Sequence, residues 1–194
     1  MSLSLAARIG VLVSLSLMAG IVMYCFRLPI AEALVPYFRW VIHLVEYRLQ
    51  IGAFDVIRTN GEYLYQVRLV SQGPTTLYGR SLPGMDVSAT TLVTHSLQHL
   101  VIFAVVATAG ILFGKVRLRW FLLVLPMGLL FALGLDIPLV LLGSIEGLFL
   151  ENLAPDQLDT NGFVMWERFL TNGGRLALAI SLSLLCLLTS RTRM

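Results

Sequence analysis

Three side chains in this chain could carry chemistry: His95, His99 and Asp136, each set inside a long apolar stretch. Ionisable groups in such segments are costly to bury and mark functional sites by default. His95 and His99 are one helical turn apart and share a helix face. Two imidazoles at that spacing can bind one metal ion, and a carboxylate can complete a facial set. His95, His99 and Asp136 are therefore the candidate ligands of a metal ion or a haem, or the members of a proton relay. The competing reading is a polar clamp. In it, His99 or Gln98 hydrogen-bonds Asp136 and fixes a helix pair, worth about 1–2 kcal/mol, and His95 sits in the interfacial layer. A histidine pair without an adjacent catalytic glutamate is not a specific motif.

Depth supports their meeting. At 1.5 Å per residue, His99 lies about 24–26 Å before the basic segment Lys115–Arg119, and Asp136 lies as far after it. A short loop joins the two stretches, so antiparallel neighbours place both groups at one level, with His95 one turn further out.

The stretches themselves define the class. Hydrophobic residues make up 57% of the 194-residue chain and charged residues 13%, against about a quarter charged in soluble domains. Crossing the hydrocarbon takes roughly 20 apolar residues, and each crossing must be helical because lipid offers the backbone no partners. Spans are predicted at Ile9–Phe26, Thr91–Gly114, Trp120–Gly143 and Leu176–Thr189. The expected fold is a mainly α membrane protein: four transmembrane helices with a small extracytoplasmic amphipathic helix and β-hairpin. Residues 1–27 form the first anchor. Residues 28–90 form the extracytoplasmic segment. Residues 91–194 form a three-helix bundle with an outer loop at 144–173.

Lys and Arg bias sets the direction. Arg8, the loop Lys115-Val116-Arg117-Leu118-Arg119, and Arg191 with Arg193 fall on one side, while Glu146, Glu151, Asp156, Asp159 and Glu167 crowd the other. Both termini are thus expected in the cytoplasm of a bacterial inner membrane, with segments 27–91 and 144–173 outside. The first span is expected to remain as an anchor, since no small-x-small cleavage site follows Met23-Tyr24-Cys25-Phe26. Topology accounts for the net charge of +3, so no nucleic-acid surface is expected.

Residues 28–50 read as an amphipathic helix, with Leu34, Phe38, Val41 and Val45 at helical spacing and Tyr37 and Trp40 suited to the membrane surface. Asn60-Gly61 predicts a tight type I′ hairpin turn between two strands. A lone hairpin is marginal, and Thr75–Tyr78 is the expected third strand, between turns at Gly73-Pro74 and Pro83-Gly84. Pro138 is expected to kink the third span. Cys25 and Cys186 fall at opposite ends of their spans, too far apart for a disulfide. Gly110 with Gly114, and Ser16 with Gly20, are small-xxx-small pairs that allow close helix approach within the chain or to a partner. No catalytic constellation stands out: there is no phosphate loop, no Cys-x-x-Cys and no serine elbow.

The layout is one anchor, an outer helix and hairpin, then three spans. Leu135-Asp136-Ile137-Pro138 ends the third, and Asn172-Gly173-Gly174-Arg175 leads into the last. This layout resembles the small membrane proteins that accompany bacterial exosortases. The resemblance implies an accessory role in envelope assembly or export, without the Cys, Arg and His set of the exosortases themselves. The first expectation is therefore a non-catalytic accessory or structural subunit that contacts membrane lipids and a larger membrane complex or further copies of itself. The alternatives are a metal- or haem-binding redox or enzymatic subunit using His95, His99 and Asp136, and an oligomeric transporter component.

Overall fold

The computed structural model describes residues 4–46, 49–71, 75–82, 84–113 and 116–190. Of the sequence expectations, those on Gly73-Pro74, Pro83, Gly114, Lys115, Arg191 and Arg193 lie outside these residues. The chain is mainly helical: α1 is Leu5–Cys25, α2 Arg27–Val45, α3 Val93–Phe113, α4 Leu118–Leu153, α5 Gly162–Phe169 and α6 Arg175–Thr189. The strands are β1 Gln50–Thr59, β2 Glu62–Val70, β3 Thr75–Leu77, β4 Arg80–Leu82 and β5 Asp86–Leu92.

Among the described residues, five helices are long and apolar enough to cross a membrane: α1, α2, α3, α4, and the run Gly162–Thr189 that contains α5 and α6. The expected count was four, and α2 is the addition. Its apolar side faces protein, burying Ala31, Phe38 and Ile42, while Arg39, Trp40 and His43 are exposed. Phe26 alone separates α1 from α2, and the i→i−4 hydrogen bonds of Phe26 and Ile30 run through the junction.

One end of the bundle brings together the start of α1, the end of α3, the start of α4 and the end of α6. The Arg8 guanidinium donates to the Leu112 carbonyl (3.2 Å), which sets α1 antiparallel to α3. The Arg117 amide donates to the Ser190 carbonyl (2.9 Å), which ties the start of α4 to the end of α6. The cationic residues Arg8, Arg117 and Arg119 are thereby gathered at the end opposite the sheet.

The sheet has the antiparallel order β1-β2-β5. Asn60 and Gly61 take φ of 52° and 84°, the two left-handed positions the predicted turn needs, and Thr59 faces Glu62 across it. The third strand differs from the expectation. Thr75–Leu77 pairs only with β4, through a second tight turn at Tyr78-Gly79 with φ of 51° and 76°. The third strand of the main sheet is β5, where Ala89 and Thr91 are buried and Asp86, Ser88 and Thr90 are exposed. It runs directly into α3, so its alternation is hidden against the apolar span that follows.

The second correction concerns the outer loop at 144–173. Helix α4 has 36 residues and continues to Leu153, with Pro126 and Pro138 inside it. At 1.5 Å per residue it spans about 54 Å, beyond about 30 Å of hydrocarbon. Its far half is the floor under the sheet. Ile137, Leu141, Ile145 and Phe149 pack with Phe38 and Ile42 of α2 and with Phe54, Tyr65 and Val67 of the strands. Gly143 does not end the helix but admits α5, since a Cβ there would lie 2.6 Å from the Phe163 carbonyl oxygen. The remaining segment holds a short turn of 3-10 helix, Pro155–Gln157, and then α5, which a π turn, Leu170–Gly174, joins to α6 with Gly173 at φ 101°.

Tyr65 sits where the layers meet. Its ring stands edge-on to Phe38 at 5.1 Å, and its hydroxyl lies 3.1 Å from the Ser96 hydroxyl of α3. Burial pushes the Tyr65 hydroxyl up to about 12 from the usual 10.0, against a smaller downward pull from the Ser96 bond. A phenol with a raised folded-state pKa is protonated in the folded state and ionised in the unfolded state between those values. Its contribution to stability is complete below pH 10 and is lost as pH rises from about 10 to about 12. In detergent, the denaturation midpoint of the protein should fall across that window. In Tyr65→Phe that part of the slope should be missing, and an unchanged slope would contradict the assignment.

Candidate functional site

The structure brings His99 and Asp136 together, as the depth count expects. His99 on α3 and Asp136 on α4 are both fully buried. The His99 Nε2 lies 2.7 Å from Asp136 Oδ2. Arg175, the first residue of α6, reaches the other carboxylate oxygen, its Nε donating to Oδ1 at 2.9 Å. Arg175 is itself only 8% exposed. One carboxylate therefore bridges three helices, with each oxygen held by a different neighbour.

Local sequence explains how each group arrives. On α3, Val93, Ser96, Leu97 and His99 are buried in succession, so His99 lies on the packed side of the helix. On α4, the unbroken buried run Ala132, Leu133 and Gly134 precedes Asp136, and Gly134 lets α2 come close, since a Cβ there would lie 2.5 Å from the Tyr37 hydroxyl. That hydroxyl donates to the Leu130 carbonyl at 2.7 Å, and the Trp166 indole donates to the Leu135 carbonyl, also at 2.7 Å. Two aromatic side chains thus hold α4 at Leu130 and Leu135, in the stretch that leads up to Asp136. The turn at Gly173 redirects the chain after α5, so that α6 begins with Arg175 facing the carboxylate.

His95 does not join the cluster as a ligand. Its Nδ1 lies 3.4 Å from the Thr91 hydroxyl, one turn back along its own chain. Among the described residues no group of three His, Cys, Asp or Glu side chains is placed to hold a metal ion. The donor set does not fit a metal or a haem iron for a second reason. His99 Nε2 and both Asp136 oxygens already have partners, and a guanidinium occupies the place a cation would take. One polar atom is left over. His99 Nδ1 is buried and has no hydrogen-bond partner.

Arg175 is the residue that sequence reasoning missed in this role. It was read only as part of the lead into the last span. A signal existed: Arg175 lies about 22 Å before Ser190 at 1.5 Å per residue, which matches the level of His99 and Asp136. A carboxylate buried in an apolar bundle calls for such a cation.

A second buried carboxylate, Glu146, lies further along α4. It accepts from the Tyr78 hydroxyl at the tip of the β3–β4 hairpin, and the Asn161 amide, which also caps α5, lies 3.4 Å away. This arrangement latches the small hairpin onto α4 and α5. The small-residue positions divide. Gly110 packs within the chain, since a Cβ there would lie 2.5 Å from Leu187 of α6. Ser16 turns its hydroxyl to the Leu12 carbonyl (2.7 Å), and Gly20 has open space around it. Cys25 is exposed and Cys186 buried, and both are free thiols.

The bridge has a measurable consequence. Removing one partner of a buried ion pair leaves an unpaired charge and costs about 3–5 kcal/mol. Arg175→Met should lower the unfolding free energy in detergent by that order. Asp136→Asn combined with Arg175→Met should cost clearly less than the two single changes added together, because the double variant leaves no stranded charge. Additive losses would mean that the two groups do not interact.

Compared with known protein families, curated proteins and solved structures, the chain matches none of them.

Proposed function

We propose that this protein is a non-catalytic accessory or structural subunit of a bacterial inner-membrane complex, with a role in envelope assembly or export. The observation that carries this reading is the closure of its polar centre. His99 and Asp136 are fully buried, and both carboxylate oxygens are engaged by the chain's own side chains. A reacting group needs reach to a substrate, and this one is spent on holding α3, α4 and α6 together. The exterior supports the same reading. Helix α1 buries none of its residues, and Leu17, Ile21 and Tyr24 are each more than 60% exposed, a surface suited to lipid or to another membrane helix. In the topology that goes with this proposal, the arginine-bearing end faces the cytoplasm and the sheet faces outward.

The unpartnered His99 Nδ1 favours one second reading, a proton-handling enzymatic or redox subunit. In that case the imidazole would exchange a proton with a partner at Nδ1 while Nε2 stays on Asp136.

Purification of the tagged full chain in mild detergent, with mass spectrometry of what accompanies it, separates the two. The accessory reading predicts a stoichiometric larger membrane protein that still co-purifies with His99→Gln, because glutamine keeps a donor for Asp136. A protein that purifies alone and whose host phenotype is lost in His99→Gln, with folding intact, would overturn it.

A further inference from the structure

Three hollows that share lining residues follow one another along α2 and α4. The first, of about 900 Å³, is walled by Arg39, Trp40 and His43 on α2 and by Gln50 at the start of β1. The second, about 240 Å³, shares Trp40 with it and reaches Leu135 and Leu139 of α4. The third, about 570 Å³, shares Leu135 and Leu139 with the second and ends against Phe163 and Trp166 of α5. The path changes character along its length. Its first hollow carries cationic and hydrogen-bonding groups, and the other two are almost wholly apolar.

At the polar end, Arg39 and His43 line the hollow together with the carboxylate of Glu46. Arg39 and His43 are exposed, and neither has an ion-pair or hydrogen-bond partner among the described residues. Glu46, the acid in this hollow, accepts from the Leu49 amide at 3.2 Å, at the turn into β1. An arginine fork suits a phosphate, and a histidine ring donates from one nitrogen in either tautomer. Trp40 stands 58% exposed at the junction of the polar and apolar parts, the place an indole takes at the level of lipid headgroups.

We infer that this path is a binding groove for one anionic phospholipid, with the headgroup phosphate at Arg39 and His43 and an acyl chain over Leu135 and Leu139, between Trp40 and Trp166. The inference rests on the membrane location in the proposed function but not on any protein partner. An apolar second membrane helix would match the apolar part but would offer the Arg39 guanidinium no anion to bind. A phospholipid with a net negative headgroup satisfies both ends. A cation at the membrane surface contributes about 1 kcal/mol towards anionic lipid, roughly a fivefold preference.

The test uses the full chain with Trp120→Phe, so that Trp40 and Trp166 report alone, reconstituted in phosphatidylcholine nanodiscs. Phosphatidylglycerol or phosphatidylcholine with brominated chains is titrated in, and tryptophan quenching is read. Brominated phosphatidylglycerol should reach half-maximal quenching at roughly a fivefold lower mole fraction than brominated phosphatidylcholine. Arg39→Gln with His43→Gln should bring the two curves together without shifting the melting temperature. Equal quenching by the two lipids in the unsubstituted protein means ordinary surrounding lipid and overturns the inference. So does a preference that survives the double substitution. Quenching by neither lipid means that protein fills the groove, and overturns it too. A chain that does not enter nanodiscs at all would refute the membrane reading itself, which separates the two failures.

Discussion

A carboxylate buried in an apolar bundle is the constraint the rest of this structure answers to. Asp136 is fully buried, where an isolated ion would cost several kcal/mol. The chain meets that cost with a guanidinium on one oxygen and an imidazole on the other. Because the partners come from α3 and α6, the level of Asp136 sets the register of three helices at once. The turn at Gly173 then has a clear purpose, since it lets α6 begin at the depth where Arg175 is needed. The contacts of Tyr37 and Trp166 hold α4 at Leu130 and Leu135, in the stretch that leads up to the same level.

Legibility in the sequence followed the strength of local signals. The apolar stretches, the Asn60-Gly61 turn and the meeting of His99 with Asp136 were readable, because span length, turn chemistry and depth are each set by a few residues. The end of α4 was not readable. Ser144 and Glu146 look like a return to water, yet Glu146 is buried beneath Tyr78, and such long-range shelter leaves no local trace. Strand β5 was overlooked because its small and polar residues merge into the apolar start of α3. Arg175 was visible as a residue and could have been placed by depth.

The same constraint shapes the functional reading. Asp136 is engaged by Arg175 and His99, and the open features that support the proposed reading are surfaces. These are the bare flank of α1, the cationic hollow at Arg39 and His43, and the apolar groove over Leu135 and Leu139. They suit a protein whose work is to sit in a membrane and hold something beside it. The aromatic core of Phe38, Phe54 and Tyr65 joins the sheet to the helices, so the outer layer is braced by the bundle it covers.

The most direct test of this account is the reactivity of Asp136 towards dicyclohexylcarbodiimide, an apolar reagent that attacks protonated carboxyls within membranes. The protein would be treated in its native membrane and Asp136 followed by peptide mass spectrometry. An ionised carboxylate closed between Arg175 and His99 should remain unmodified, and should become reactive in Arg175→Met. Ready modification in the unsubstituted protein would mean a carboxyl that takes up protons and is open to small molecules, contradicting the clamp and favouring proton-coupled chemistry.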